Sequence, residues 1–336
     1  MQKGKILVTG GAGFIGAHVS QELLNLGYEV VVLDDLSGGF KDNVPERALF
    51  IEGSILNVQL LQSLFRIHGF NYVFHLAAYA AEGLSHFIKR FNYENNVIGS
   101  INLINESIKC DVKCFVFTSS IAVYGTNQLP MREDLVPNPE DSYGIAKLAV
   151  EKELEITKQM FGLNYIIFRP HNVYGEKQNL GDKYRNVIGI FMNQMMQRKP
   201  VTIFGDGNQT RAFSYIGDVA PRIAASIANR VSYNQIFNIG ADHFYSINQL
   251  VDVVARAMAE TPSKIHLAPR NEVIHAYADH SKVEKAFPLK ESTSLEAGIQ
   301  RMAKWARMVG SRKSKDFEHI EIRKNLPQSW ADESAK

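Results

Sequence analysis

Short runs of apolar residues recur through the first half of the chain, and each is followed by a loop and a helix-like stretch. Because these runs do not alternate with polar residues, they are typical of strands buried on both faces of a sheet. Apolar residues at positions 15, 19, 23 and 26 then follow the period of a helix packed on a sheet, which Gly27 is placed to end. The pattern predicts a doubly wound α/β fold with a parallel sheet. The predicted strands cover residues 6–8, 29–33, 49–51, 72–76, 115–117 and 165–168.

The regular alternation weakens after Arg169, where loops rich in glycine, asparagine and charge appear at 174–186 and 205–211. Loops of this kind often carry binding residues, so we expect the substrate there. A strand-like run at 236–239 and a helix pattern at 246–258 are expected to return to the main sheet, so the two parts are interwoven. The sequence leaves open whether the C-terminal tail is poorly ordered or lies as a strap over the body. The predicted organisation is a sheet domain over 1–168 to which 212–258 returns, a smaller substrate-binding lobe over 169–211 and 259–310, and a charged tail over 311–336.

Composition and charge limit the class of protein. The 336 residues are 45% hydrophobic, and a formal charge of +2 without a long basic run gives no reason to expect nucleic acid as a partner. No stretch approaches about 18 apolar residues, and the first apolar run is too short for a signal segment, so we expect a cytoplasmic protein with no membrane association. Cys110 and Cys114 have neither zinc-site nor redox spacing, so we expect inert thiols in a reducing compartment and no metal site.

A glycine-rich turn, Thr9-Gly-Gly-Ala-Gly-Phe-Ile-Gly16, lies between the first predicted strand and the first predicted helix. Its glycines permit a tight turn and let backbone N–H groups and the helix N-terminus approach a pyrophosphate. This context is that of a Rossmann-type dinucleotide-binding domain. The predicted cofactor contacts in the turn are Gly10, Gly13, Phe14, Ile15 and Gly16.

Asp34 ends the second predicted strand, at the distance from the turn where a carboxylate accepts hydrogen bonds from the ribose hydroxyls. Asp35 is an alternative for the same role. A carboxylate there repels a 2′-phosphate, and no arginine lies between Asp34 and Phe40 to attract one. The sequence therefore predicts NAD rather than NADP.

Two further strand ends are expected to contact the cofactor. Ser54 and Ile55 follow the third strand, near the expected adenine, and Leu76, Ala77 and Ala78 follow the fourth, where small residues let the cofactor lie close to the backbone. His75 is interpreted as a packed or locally hydrogen-bonded residue.

The segment Tyr143-Gly-Ile-Ala-Lys147 carries the candidate chemistry. On a helix, the phenol and the ammonium four residues apart share one face and can meet around one substrate oxygen. A phenol with a reference pKa of about 10 must be stabilised as phenolate to act as a base at neutral pH, and we expect the Lys147 charge to lower the pKa. Ser120, at the end of the fifth predicted strand, is placed to hydrogen-bond the same oxygen. Together with the glycine turn, this set predicts hydride transfer at an alcohol carbon.

These pieces resemble the extended short-chain dehydrogenase/reductases of the NAD-dependent epimerase/dehydratase family, over about residues 3 to 310. The resemblance implies a nucleoside diphosphate sugar as substrate, Tyr143 as the base, and Ser120 and Lys147 as assisting residues. Besides the two motifs above, the matching segments are Thr118-Ser-Ser-Ile-Ala-Val-Tyr-Gly125, Arg169-Pro-His-Asn-Val-Tyr-Gly175 and Gly205-Asp-Gly-Asn-Gln-Thr-Arg-Ala-Phe213. The other implied contacts are Asn96, Tyr143 and Lys147 to the cofactor, Asn172 and Arg211 to the diphosphate, and Arg270 to the diphosphate or ribose.

The resemblance also implies a homodimer, in which helices over 93–109 and 142–161 pair across a two-fold axis. Arg211 is a reasonable diphosphate ligand on physical grounds, because a guanidinium presents a planar fork of donors. We leave open whether His171 contacts the sugar.

The residues after Ser120 limit the reaction. Relatives that remove water from the sugar place an acid and a carboxylate there, and decarboxylases keep a carboxylate in that pocket, whereas this chain has Ile121 and Ala122. Elimination needs such groups. The remaining chemistry is oxidation of the C4 hydroxyl, rotation of the 4-keto sugar and return of hydride to its other face, which is a 4-epimerase acting on a UDP-hexose or a UDP-N-acetylhexosamine. The cofactor then emerges unchanged and is expected to stay bound.

Two alternatives remain at this point. One is another nucleotide-sugar oxidoreductase or dehydratase of the same family, and the other is a non-catalytic scaffold that senses nucleotides with the same fold. Two further departures from the family pattern keep the substrate open, because Ser54 and Ala212 stand where an aspartate is common. Glu82 is an unusual residue in a segment that contacts substrate in relatives.

Overall fold

Strands and helices alternate along the computed structural model, which describes residues 3–126, 128–269, 273–313, 317–318, 320–327 and 330. The strands are β1 (Lys5–Thr9), β2 (Glu29–Asp34), β3 (Leu49–Glu52), β4 (Tyr72–His75), β5 (Cys114–Thr118), β6 (Tyr165–Pro170), β7 (Val173–Tyr174), β8 (Val201–Phe204), β9 (Thr210–Ala212), β10 (Ser214–Tyr215), β11 (Gln235–Ile239), β12 (Phe244–Ser246), β13 (Lys264–Leu267) and β14 (His275–Ala276). The helices are α1 (Phe14–Asn25), α2 (Val58–His68), α3 (Glu82–Ser85), α4 (Lys89–Tyr93), α5 (Gly99–Lys109), α6 (Ser142–Phe161), α7 (Val187–Met196), α8 (Ile216–Ala225), α9 (Ile247–Met258), α10 (Ser281–Ala286) and α11 (Leu295–Val309).

Seven of these strands form one parallel sheet in the order β11-β6-β5-β4-β1-β2-β3. The order reverses between β1 and β4, so the carboxyl ends of these two strands open a crevice where ligands bind in doubly wound sheets. The predicted Rossmann-type α/β fold is confirmed, and the six apolar runs of the sequence are its first six strands.

The sheet is covered on both faces because its strands alternate their side chains between two cores. Ile6 and Val8 of β1 point into a cluster shared with α1, α8 and α9, whereas Leu7 points into a second cluster shared with α2, α5 and α6. All three side chains are fully buried. A strand buried on both faces needs apolar residues at every position, which explains the unalternating runs.

A second part of the structure is built from short strands around residues 201–276. There β8 pairs with β13, and β9 lies between β12 and β14. Between these pieces the chain returns to the central sheet through β11, and α8 packs on α1. The substrate-binding role and the boundaries assigned to this part remain a prediction.

A buried ion pair ties α6 to β6. The Arg169 guanidinium donates to both carboxylate oxygens of Glu151, at 2.9 and 2.5 Å, and also to the Tyr124 hydroxyl at 2.7 Å. Both charged side chains are at most 2% exposed. The pair fixes the helix that carries Tyr143 and Lys147 against β6.

The described residues after Gly310 lie over the body of the protein, and we call residues 311–330 the C-terminal strap. Phe317, Ile320, Leu326 and Trp330 pack against the loop and helices between Tyr79 and Phe91. No helix within the described part of the chain is both long and apolar enough to cross a bilayer.

Candidate active site

One large cleft of about 1820 Å³ runs along the carboxyl ends of the central strands. It begins at the glycine-rich turn, passes Tyr143 and Lys147, and continues to Arg211 in the second part of the structure. A cleft of this size exceeds the usual range of about 300 to 1,000 Å³ for a small-molecule site, as a dinucleotide and a second ligand together require.

The glycine-rich turn brings backbone close to the place where a pyrophosphate would bind. Gly10 has a φ of +72°, and a Cβ on it would lie 2.6 Å from the backbone nitrogen of Ala77. A Cβ on Gly16 would lie 2.1 Å from the carbonyl oxygen of Gly10. Helix α1 begins without a side-chain cap at Gly13, so its N-terminus presents backbone donors and the positive end of its dipole to the cleft.

Asp34, at the end of β2, lines the cleft and is 9% exposed. Its carboxylate accepts the Ala12 N–H at 3.0 Å and the Leu36 N–H at 2.8 Å. Burial raises the pKa of this carboxyl, and the two backbone hydrogen bonds oppose that effect. Since a carboxylate has about four acceptor sites, two backbone bonds still leave capacity for ribose hydroxyls.

The other predicted cofactor residues divide into two groups. Ile55, Leu76, Ala77 and Ala78 line the cleft, as do Phe14 and Ile15. Ser54 does not, and its hydroxyl accepts the Leu56 N–H instead.

Asn96 also lies outside the cleft lining. Its side chain accepts the Tyr79 N–H at 2.9 Å and donates to the Tyr79 carbonyl at 3.1 Å. It thereby holds the backbone that follows Ala78, so any contact with the cofactor would be indirect.

Tyr143 and Lys147 lie in the first two turns of α6, which the Asp141 side chain caps by accepting the Gly144 N–H at 2.8 Å. The Lys147 ammonium donates to the Thr118 carbonyl at 2.8 Å and lies 5.7 Å from the centre of the Tyr143 ring. Ser120 follows β5 and lines the same stretch of the cleft. The structure thus brings the three predicted catalytic residues together.

The pKa of Tyr143 is raised, mainly because the phenol is buried and further because of the nearby Glu82 carboxylate. A hydrogen bond with Ser120 and the charge of Arg185 act in the opposite direction. The net effect of the protein groups on this pKa is therefore an increase, and the lowering expected from the Lys147 charge stays a prediction. Burial lowers the pKa of Lys147 itself to about 7, so near neutral pH its ammonium is only partly charged.

Asn172 and Arg211 both line the far end of the cleft. Asn172 donates to the Ala212 carbonyl at 3.1 Å, and the Arg211 guanidinium donates to the carbonyls of Thr210, Val273 and Ile274. These bonds join β9 to its neighbours and hold the guanidinium at the cleft wall. Arg270 lies outside the described residues.

The sequence analysis did not single out several residues of the cleft lining, among them Lys177, Lys183, Arg185 and Trp330. The Arg185 guanidinium donates to Asp182 at 2.6 Å and lies 4.7 Å from the centre of the Tyr79 ring. The loop 174–186 was expected to bind substrate, but no motif singled out its basic residues. Nothing in the sequence indicated that Trp330 reaches the cleft.

Two buried histidines lie beside the cleft. His75 is 1% exposed and hydrogen-bonded to Thr9 and Ser100, each at 2.8 Å, and burial lowers its pKa to about 3. His171 lines the cleft, 2% exposed and 5.0 Å from the ring of His280. Burial lowers the pKa of His171 to about 3 as well, so both rings are neutral at physiological pH.

A Rossmann-type sheet with a glycine-rich turn, a carboxylate after β2 and a Tyr-x-x-x-Lys helix defines an NAD-using enzyme of the short-chain dehydrogenase/reductase type. The chain belongs to the NAD dependent epimerase/dehydratase family, whose sequence profile matches residues 6–240. NAD is therefore its cofactor, and the turn and Asp34 fit that molecule.

Relatives in this family resemble most of the chain. UDP-glucose 4-epimerase of Halalkalibacterium halodurans is 34% identical over 79% of this chain and 83% of its own. The crystal structure of UDP-glucose 4-epimerase with UDP-glucose from Thermotoga maritima is 35% identical, with a TM-score of 0.86 over 91% of this chain and 99% of its own, so about a tenth of this chain has no counterpart in it. The UDP-glucuronic acid 4-epimerase of Bacillus cereus, in complex with UDP-glucuronic acid and NAD, is 30% identical, with a TM-score of 0.83 over 91% of this chain and 99% of its own. The chain is a nucleotide-sugar enzyme of the epimerase/dehydratase family.

Proposed function

We propose that this protein is an NAD-dependent UDP-sugar 4-epimerase. The observation that carries the proposal is the apolar wall beside the reactive residues: Ile121 and Ala122 both line the cleft directly after Ser120. Neither of these two positions carries an acid or a carboxylate that could remove a hydroxyl group or hold a carboxyl group, and the nearby Glu82 carboxylate comes from α3 instead. Oxidation and reduction at one carbon need no such group, and Tyr143 with Lys147 and Ser120 suffices for them.

When bound beside the glycine-rich turn and Asp34, NAD would supply the hydride acceptor and donor that this chemistry needs. The Tyr143 phenolic oxygen takes the proton of the sugar C4 hydroxyl and gives one back after the 4-keto sugar has turned its other face. The Ser120 hydroxyl donates a hydrogen bond to the same sugar oxygen. The Thr118 carbonyl holds Lys147 in place, and the protonated Lys147 stabilises the Tyr143 phenolate.

The end of the cleft beyond Tyr143 supports a nucleoside diphosphate sugar as substrate. Arg211 and Asn172 line that end, where the diphosphate would lie beyond the sugar, and a guanidinium is the side chain best suited to bind a diphosphate. The names of the three relatives all specify a UDP-sugar and inversion at C4, and they support uridine as the nucleoside.

The test is incubation with UDP-glucose, UDP-glucuronic acid and UDP-N-acetylglucosamine, followed by NMR of the sugar protons. The expected result is a C4-inverted product from at least one of them, with no free NADH. Stoichiometric NADH or a stable keto product would favour a net oxidoreductase or a dehydratase. No turnover of any nucleotide sugar would favour a nucleotide-sensing scaffold.

We further propose a homodimer through α5 and α6. Ile145, Ile156, Met160 and Phe161 of α6 and Ile98 just before α5 are 44% to 69% exposed, an apolar surface that a second copy of the chain would cover. A sedimentation mass of one chain would contradict this assignment.

A further inference from the structure

The C-terminal strap is hydrogen-bonded to the segment that contains α3 and α4, which forms the end of the cleft where the sugar would lie. The Glu321 carboxylate accepts the Arg90 and Phe91 N–H groups at 2.9 and 2.8 Å. In return, the Phe87 carbonyl accepts the Glu321 N–H at 2.9 Å. Phe317 packs edge-on against Phe91 with ring centres 4.9 Å apart. These contacts fix the strap to the segment that begins with α3.

Two described residues of the strap, Lys313 and Trp330, line the cleft. The Trp330 side chain is 4% exposed. It packs edge-on against Tyr184 with ring centres 5.4 Å apart, and a Cβ on Gly83 would lie 3.1 Å from its ring. The indole is therefore wedged between position 83 and position 184.

The residues next to these two positions act on the catalytic tyrosine. Glu82 precedes Gly83, and Arg185 follows Tyr184. Both line the cleft, and both charges are close enough to Tyr143 to influence its phenol, in opposite directions. A single indole thus holds the two segments that place one carboxylate and one guanidinium beside the reacting group.

We propose that the C-terminal strap is a specificity element of the active site, and that Trp330 positions Glu82 and Arg185 to hydrogen-bond the hydroxyl groups of the substrate's sugar ring. The inference rests on the proposed function, because it assigns the sugar of the nucleotide sugar to this end of the cleft. Trp330 is a positioning residue in this account: it acts through the two charged side chains.

The first test separates recognition of the sugar from recognition of the nucleotide. Trp330→Ala is expected to raise KM for the UDP-sugar substrate about tenfold, since small displacements of positioning groups are costly, while the Kd for UDP changes less than about twofold. Trp330→Phe, which keeps an aromatic wedge, is expected to restore most of the loss. Trp305→Ala, a change of the same size on α11 outside the cleft lining, serves as the control for general destabilisation.

The outcomes that overturn the proposal are an unchanged KM and kcat in Trp330→Ala, or an equal loss of affinity for UDP and for the UDP-sugar. A Trp330→Phe variant that folds normally but does not restore KM would also contradict the role of an aromatic wedge.

The second test does not depend on turnover. The chain has two tryptophans, so Trp305→Phe leaves Trp330 as the sole reporter of indole fluorescence. Titration with UDP-glucose is expected to change that emission, and titration with UDP alone is expected to change it much less. If the sugar effect appears without any C4 inversion, the proposed function fails and the strap proposal stands. If C4 inversion occurs and the indole does not distinguish the two ligands, the strap proposal alone fails.

Discussion

The ammonium of Lys147 donates a hydrogen bond to the carbonyl oxygen of Thr118, at 2.8 Å. Thr118 is the last residue of β5, and Ser120 lies two positions beyond it. The bond therefore fixes the helix that carries Tyr143 and Lys147 relative to the strand end that carries Ser120. The catalytic geometry depends on this link together with the Glu151–Arg169 pair, which also joins α6 to the central sheet.

Replacing Tyr143 tests the assignment of the base. Tyr143→Phe removes the proton acceptor and keeps the ring, so kcat is expected to fall by about 10² to 10⁴, the usual contribution of a positioned acid or base. Bound NAD, measured after denaturation, should remain at the wild-type level. Tyr28→Phe, outside the cleft lining, is the control and should leave kcat unchanged. Turnover that survives Tyr143→Phe would show that another group is the base.

The two charges beside Tyr143 predict opposite changes in pH dependence. Glu82 raises the pKa of the phenol, so Glu82→Gln is expected to lower it and to move the rise of kcat/KM to lower pH. Arg185 lowers that pKa, so Arg185→Gln is expected to move the same rise to higher pH. Glu52→Gln, an exposed carboxylate at the end of β3, should leave the profile in place. Shifts in the same direction for both variants would contradict the assigned electrostatics.

Asp34 tests the choice of cofactor. Asp34→Asn keeps the size of the side chain but has one acceptor oxygen where two backbone N–H groups and the ribose now compete, so affinity for NAD is expected to fall about tenfold. Loss of the negative charge should also narrow the preference for NAD over NADP, measured as the ratio of nucleotides bound from an equal mixture. Asp35→Asn is the comparison. An equal loss of NAD affinity in that variant would contradict the assignment of the ribose to Asp34.

The buried pair of Glu151 and Arg169 predicts a large effect on stability. Glu151→Gln leaves the guanidinium buried beside a neutral partner, so the free energy of unfolding is expected to fall by about 3 to 5 kcal/mol. Glu155→Gln breaks the more exposed pair with Lys152 on the same helix and should cost less than about 1 kcal/mol. Denaturant titration gives both values. Similar losses in the two variants would contradict the role of burial.

Much of the sheet could be predicted because a strand buried on both faces leaves a direct record in the sequence. Leu7 between Ile6 and Val8 is apolar only because the sheet has a core on each side. The glycine turn and the Tyr-x-x-x-Lys helix are equally local, since neighbours in sequence fix their geometry. The short strands β7, β9 and β10 left no such record, because two or three residues carry too little periodicity.

The parts of the site that the sequence could not give depend on contacts between distant segments. Glu82 affects the pKa of Tyr143 only because α3 packs beside α6. Trp330 enters the cleft wall only because Glu321 and Phe317 bind the strap to the α4 region. The raised pKa of Tyr143 follows from burial, which a motif does not report.

The most direct test of the central claim is the reaction carried out in D₂O, with the sugar signals followed by NMR. The account predicts inversion at C4 of a UDP-sugar without incorporation of deuterium at C3, C4 or C5, because the hydrogen taken from C4 is returned to C4. Deuterium at any of these carbons, or a nucleotide sugar that is bound but never inverted at C4, would contradict it.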